Sequence, residues 1–119
     1  MPTLEGLIGL LERYRFAGQT ENELQAAIAR AFEEEAIAFE REYRLSPQDR
    51  IDFKVGRVGI EVKIGGSNAA LIRQVHRYAQ SDALDSIIIV TTRASHYIPA
   101  DSVNGRTVVM VSLVMGNAF

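Results

Sequence analysis

Between Arg50 and Ile64 the chain reads RIDFKVGRVGIEVKI, and three of its polar side chains, Asp52, Glu61 and Lys63, are spaced so that they could act together. Ile51, Phe53 and Val55 alternate with Asp52 and Lys54; beyond Gly56 and Arg57, Val58, Ile60, Val62 and Ile64 alternate with Gly59, Glu61 and Lys63. This period of two marks two strands, each with one buried face. With Gly56 and Arg57 at the centre of a type II′ turn, Val55 faces Val58, Phe53 faces Ile60 and Ile51 faces Val62. Asp52 then lies opposite Glu61, with Lys63 two residues along the same face. Opposed carboxylates repel, so their pairing asks for a reason. A hard divalent cation would supply one, because Mg²⁺ takes one or two carboxylates and completes its shell with water and phosphate. Lys63 beside it would be a cation for a phosphate or for an attacking water. The plainer alternative is a surface hairpin in which Lys63 offsets two acids.

The elements that must position these residues are legible in order. Leu4, Leu7, Ile8, Leu11 and Tyr14 recur at helical spacing, which predicts an amphipathic helix from 3 to about 15 that packs on the domain or pairs with a second copy. Gly18 breaks it, and Thr20 with Glu23 resembles a capping box that opens a second helix with Leu24, Ile28, Ala31 and Phe32 as its buried stripe. Glu21 lies on that stripe, although an acid in a first turn is favoured by the macrodipole alone. Ile37, Phe39 and Tyr43 suggest a first strand, IAFEREY, with Arg41 and Arg44 near its end. After Ile64, Gly65, Gly66 and Ser67 form a turn, and a helix follows from about Asn68 to Gln80 with Leu71, Val75 and Tyr78 as its apolar stripe. Gln74 shares that face one turn before Tyr78, and a buried amide needs partners that a nearby carboxylate site could give. Arg73, His76 and Arg77 point to solvent. Ser86 to Thr92 reads as a buried strand, 95 to 101 as a loop, and Thr107 to Val114 as a last strand after the Asn104-Gly105 turn.

The spacing of Asp52, eight residues, Glu61, one residue and Lys63 resembles the core motif of the PD-(D/E)XK nuclease superfamily, with Ile51 where the family name has Pro. Gln74, three residues and Tyr78 is similar to the QxxxY motif that RecB-like members carry downstream of their lysine. The order helix, three strands, helix, strand over residues 20 to 93 is that of the family's core. The resemblance implies an α/β fold of restriction-endonuclease-like type, an α-β-β-β-α-β core with a mixed four- to five-stranded sheet flanked by helices. It implies Mg²⁺ or Mn²⁺ held by Asp52, Glu61 and the backbone carbonyl of Val62, with Lys63 positioning the nucleophile and Gln74 and Tyr78 orienting substrate or lysine. The glutamate that the family often aims at its metal from the first core helix is matched by Glu21. The implied activity is hydrolysis of phosphodiester bonds in DNA, as in small stand-alone members such as Holliday junction resolvases and phage or repair nucleases. Branch-cutting would need two sites and hence a homodimer, with the first helix as a candidate seam. Arg41, Arg44, Arg73 and Arg77 would meet the nucleic-acid backbone. The alternative is a module that keeps the nuclease fold and binds nucleic acid or a protein without cutting.

Composition sets the outer bounds. A chain of 119 residues is expected to form one domain, here with 1–17 as an accessory helix, 20–93 as core and 94–119 as a C-terminal loop and strand. Without cysteine there are no disulfides, thiolate zinc sites or iron-sulfur clusters. No apolar run approaches a membrane span and no basic-then-apolar leader is present, so the expected location is the cytoplasm. His76 and His96 are too few for a zinc site and are expected at the surface. The net charge of −2 argues against a protein that coats nucleic acid, but its distribution is uneven. Residues 1–40 hold three basic and eight acidic side chains, 41–80 eight and four, and 81–119 two and three. The basic excess coincides with the hairpin and the helix after it, a local footprint for phosphate.

Overall fold

A computed structural model of the chain describes residues 2–14, 16, 20–93 and 96–113. The elements run α1 (Leu4–Arg13), α2 (Glu21–Glu34), β1 (Glu40–Arg44), β2 (Arg50–Val55), β3 (Val58–Val62), α3 (Asn68–Tyr78), β4 (Ser86–Thr91), β5 (Ser102–Val103) and β6 (Arg106–Ser112). The sheet order is β1-β2-β3-β4-β6-β5. Neighbours are antiparallel from β1 to β3, parallel from β3 through β4 to β6, and antiparallel at β5. The class is the expected α/β with a mixed sheet, but it has six strands rather than four or five. The added strand is the two-residue β5, too short to show a period. Val114, the predicted end of the last strand, and Gly18, the predicted helix breaker, lie outside the described residues.

Two cores share this sheet. On one face, α1 and α2 cover Phe53, Val55, Ile60, Val62, Ile88 and Val90; on the other, Leu71, Val75 and Tyr78 of α3 pack on Ile87, Ile89 and Val108. β3 and β4 are buried along their whole lengths, as parallel central strands covered on both faces must be. α1 is capped by Thr3, whose hydroxyl accepts from Gly6 N–H at 3.0 Å, and its Leu7, Leu10 and Leu11 enter the first core. Its apolar stripe therefore packs on this domain. The capping box of α2 forms as expected, Thr20 and Glu23 exchanging two bonds of 3.1 Å.

The end of α2 corrects the predicted first strand. Ala36 takes a left-handed φ of 56°, while Ile37 N–H donates to Phe32 O at 2.8 Å and Ala36 N–H to Glu33 O at 3.1 Å. This is a Schellman ending, which recruits the following apolar residue to seal the helix end. Ile37 and Phe39 therefore pack on the first core from a connecting segment, and β1 starts only at Glu40.

A second correction concerns the central hairpin. Val55 pairs Val58 and Phe53 pairs Ile60 as predicted, around Gly56 at φ 58°. Ile51 does not go on to face Val62. It joins the second core while Val62 stays in the first. The cause is Gly59: a Cβ there would lie 2.5 Å from Ile51 Cδ1 and 3.0 Å from Leu84 Cδ1, so the missing side chain leaves a slot that Ile51 fills. The β1–β2 ladder keeps one register from Arg41↔Phe53 to Tyr43↔Ile51 but skips the level between them, where Glu42 has φ 50° opposite Asp52.

The connection from β4 to β6 replaces a crossover helix. Among the described residues of 92–105 the one regular element is β5, and Ile98 and Val103 cover the second core. His96 begins this cover and is 5% exposed, which corrects the expectation that it is a surface residue.

The left-handed Ala36 is exposed, so only its backbone conformation is at stake. Ala36→Gly should stabilise the protein by about 0.5–1 kcal/mol, the left-handed penalty less the extra chain entropy of glycine. Urea denaturation at unchanged slope measures this, and a destabilised variant contradicts the helix ending described.

Candidate functional site

The site forms where β2 and β3 part. Backbone pairing runs from Val55↔Val58 to Phe53↔Ile60. At the next level side chains take over: Asp52 N–H donates to Glu61 Oε1 at 3.1 Å, and Val62 N–H donates to Asp52 Oδ2 at 2.8 Å. Each carboxylate thus accepts from the backbone of the opposite strand. This fixes both headgroups in a place where their charges oppose one another.

Glu61 is further held from α3. Gln74 Nε2 donates to Glu61 Oε2 at 3.2 Å and to Tyr78 Oη at 2.8 Å, and Tyr78 Oη donates to Arg50 O at 3.1 Å. The helical spacing of four sets the amide above the phenol, and the chain of bonds ends on β2, beside Asp52. Gln74 Oε1 is buried with no partner among the described residues, an uncompensated acceptor of a kind that calls for a functional explanation.

Lys63 follows β3 directly, and its N–H donates to Val90 O at 2.8 Å. Its aliphatic stem lies along Gly66, where a Cβ would be 3.5 Å from Lys63 Cε and 3.7 Å from Nζ; Gly66 also has φ 80°. Among the described residues the ammonium makes no ion pair, yet its charge reaches Glu61 and favours the ionised acid. Glu21, at the start of α2, turns its Oε2 to the N–H groups of Ile64 and Gly65, at 2.9 and 3.2 Å. It braces the lysine segment, and its charge is felt at Asp52.

Electrostatics follow from burial. Desolvation first, then the charge of Asp52, pushes Glu61 up to about 8, against the pull of the Asp52 N–H bond and of Lys63. Desolvation also pushes Asp52 up to about 6, with Glu21 and Glu42 adding to it and the Val62 N–H bond and Arg41 opposing. Burial and the charge of Glu61 raise Tyr78 well above the ordinary tyrosine range, so it stays a hydrogen-bond donor. Two mutually repelling, oxygen-only groups suit a hard divalent cation, which would lift the penalty on both. Among the described residues no three His, Asp or Glu side chains converge tightly enough to hold a metal unaided. The donor set on offer is two carboxylates, with remaining positions left to water and phosphate, and that is the usual habit of Mg²⁺.

The four arginines are placed unequally. Arg41 lies 5.3 Å above the Phe53 ring and donates to Gln25 Oε1 at 3.2 Å, close enough for its charge to reach Asp52. Arg44 is held by Pro47 O at 3.0 Å and Arg77 by Asp49 Oδ1 at 3.0 Å, both on the turn before β2. Arg73 is exposed on α3. Sequence reasoning missed His96, whose ring nitrogens meet the backbone on either side of the lysine turn, and it missed the fit of Gly66 under Lys63. Neither has a periodic signal.

No protein-family profile, curated protein sequence or solved structure matches the chain.

The raised acids set the sign of a pH dependence. Folded values near 8 for Glu61 and 6 for Asp52 exceed the unfolded ones of about 4.3 and 3.9, so the native state holds protons that the unfolded chain has released. Stability from these groups is complete below the unfolded values, falls as pH rises, and is lowest above the folded value of Glu61. In chelator-treated protein the melting temperature should rise as pH is lowered from about 8 towards 6, and Glu61→Gln should remove most of that rise. Calorimetric melting over this range checks it; a wild-type melting temperature that drops on the same acidification contradicts the assignment.

Proposed function

We propose that the chain is a metal-dependent nuclease of PD-(D/E)XK type that hydrolyses phosphodiester bonds of DNA. The observation that carries this reading is the pair of carboxylates, Asp52 and Glu61, each pinned by the other strand's backbone N–H within reach of the charge of Lys63, whose ammonium makes no ion pair among the described residues. A purely structural ion pair would place the cation against an acid. Here the acids are set against each other and the cation is left available. The order α2-β1-β2-β3-α3-β4 supports the reading, since it is the α-β-β-β-α-β order of restriction-endonuclease-like cores. The bonds from Gln74 to Glu61 and Tyr78 support the QxxxY resemblance.

Under this reading Asp52 and Glu61 hold Mg²⁺ or Mn²⁺, with the carbonyl of Val62 as a further oxygen. When bound, the ion supplies Lewis-acid activation of water and charge for the phosphate. Lys63 orients the water and donates to a phosphoryl oxygen as negative charge grows there. A water oxygen bonds to phosphorus as the bond to one sugar oxygen breaks, and that oxygen leaves with a proton. Gln74 and Tyr78 keep Glu61 in place throughout. Arg73 follows the DNA backbone from the exposed face of α3, whereas Arg41, Arg44 and Arg77 exchange Gln25, Pro47 and Asp49 for phosphate. The enzyme works in the cytoplasm on repair, recombination or phage DNA, as a homodimer where a branched substrate requires two sites.

One observation favours a second reading, a nucleic-acid-binding module that does not cut: no three-ligand metal cluster forms among the described residues. Cleavage assays on branched, single-stranded and duplex DNA with Mg²⁺ and Mn²⁺ separate the two. Asp52→Ala and Lys63→Ala should each lower the cleavage rate by about 100-fold or more with melting behaviour retained. DNA binding by the wild type without cleavage in either metal would select the second reading.

A further inference from the structure

The run from Lys63 to Gly66, between β3 and α3, has no regular structure, yet its peptide groups are held from three directions. Lys63 N–H donates to β4 at Val90 O, 2.8 Å away. The N–H groups of Ile64 and Gly65 both donate to Glu21 Oε2, at 2.9 and 3.2 Å. The carbonyls of Lys63 and Gly66 each lie 3.2 Å from a ring nitrogen of His96, at Nδ1 and Nε2 respectively. A carbonyl only accepts, so Nε2 carries a hydrogen and donates to Gly66. Nδ1 is then an acceptor, filled by the Thr91 hydroxyl 3.0 Å away, and the Lys63 carbonyl lies against it without a hydrogen bond. An acid thus takes the amides of this turn and an imidazole takes its last carbonyl.

The imidazole is itself fixed. His96 is 5% exposed and Thr91 1%, and the Thr91 hydroxyl also accepts Arg93 N–H at 3.0 Å. What the turn holds in place is a side chain. Its curl, with Gly66 at φ 80°, brings the last residue of the run under the stem of the first, where a Cβ on Gly66 would lie 3.5 Å from Lys63 Cε.

We propose that His96 is a positioning residue for Lys63: by donating from Nε2 to the carbonyl of Gly66 it fixes the curl over which the Lys63 stem lies. Glu21 completes the grip from the amide side. The inference rests on the nuclease reading only for what the lysine then does; the grip itself is independent of it.

Amide hydrogen exchange followed by NMR tests the grip in the intact chain without substrate. In His96→Ala the protection of the Ile64 and Gly65 amides should fall by about 10-fold or more while the β3 and β4 amides keep theirs. His96→Gln, whose amide can reach one carbonyl, should recover part of the protection. Unchanged protection at Ile64 and Gly65, or an equal loss throughout the sheet, overturns the proposal. Should His96→Ala not fold, the long-range ¹H–¹⁵N spectrum of the wild-type histidine decides, since an unprotonated Nε2 excludes the bond to Gly66. On a cleavable DNA, His96→Ala should lower kcat by about 10–100-fold with KM unchanged, with partial rescue by His96→Gln. A wild type that cuts no DNA would sink the nuclease reading and leave the exchange result to judge the grip.

Discussion

Two carboxylates held against one another are the constraint on which the rest of this structure turns. Asp52 and Glu61 are not neighbours by accident of surface packing: each accepts a backbone N–H from the facing strand, so they occupy the ladder position that a peptide pair would otherwise fill. For that, β2 must leave β3 just past Phe53. Gly59 allows the departure by making room for Ile51 in the second core, and the left-handed Glu42 lets β1 follow. A single missing side chain on β3 is thus linked to the re-aiming of an acid on β2.

The two faces of the sheet divide the work. The face under α1 and α2 buries hydrocarbon almost without interruption, including the Phe32–Phe39–Phe53 cluster with ring centroids 5.5–5.9 Å apart. The face under α3 accepts Glu61, Gln74 and the Tyr78 hydroxyl among its apolar residues, along with an unpaired amide oxygen. Buried polar groups of this sort cost stability unless every partner is in place. The apolar face offsets that cost, and local rules of good packing are broken mainly on the side where chemistry is expected.

Much of this was legible in the sequence, wherever the signal was local and periodic. The hairpin from Phe53 to Ile60, the Thr20–Glu23 capping box, the stripes of the three helices and the buried run of β4 follow from spacing alone. The failures share a physical cause, which is that a tertiary contact outvotes a local pattern. Ile51 continues the alternation in writing, but Gly59 offers it a better cavity on the opposite side. Ile37 and Phe39 alternate like a strand, but the helix end at Ala36 claims them as a seal. His96 reads as a loop residue because its partner Gly66 lies 30 positions upstream, where no periodicity can point to it. The site residues were legible as types and spacings. The bonds that hold them were not.

The bracing of the lysine turn also has a kinetic side. Its supports come from Glu21, 43 residues before Ile64, and from His96, 30 residues after Gly66. Contacts of such sequence separation carry a loop-closure cost and form late in folding. A chain that has made its central hairpin but not yet docked α2 and the segment after β4 would own all the residues of the site without its shape. Assembly of the site is thereby tied to completion of the whole fold, so a nascent or partly opened chain holds these residues without their arrangement.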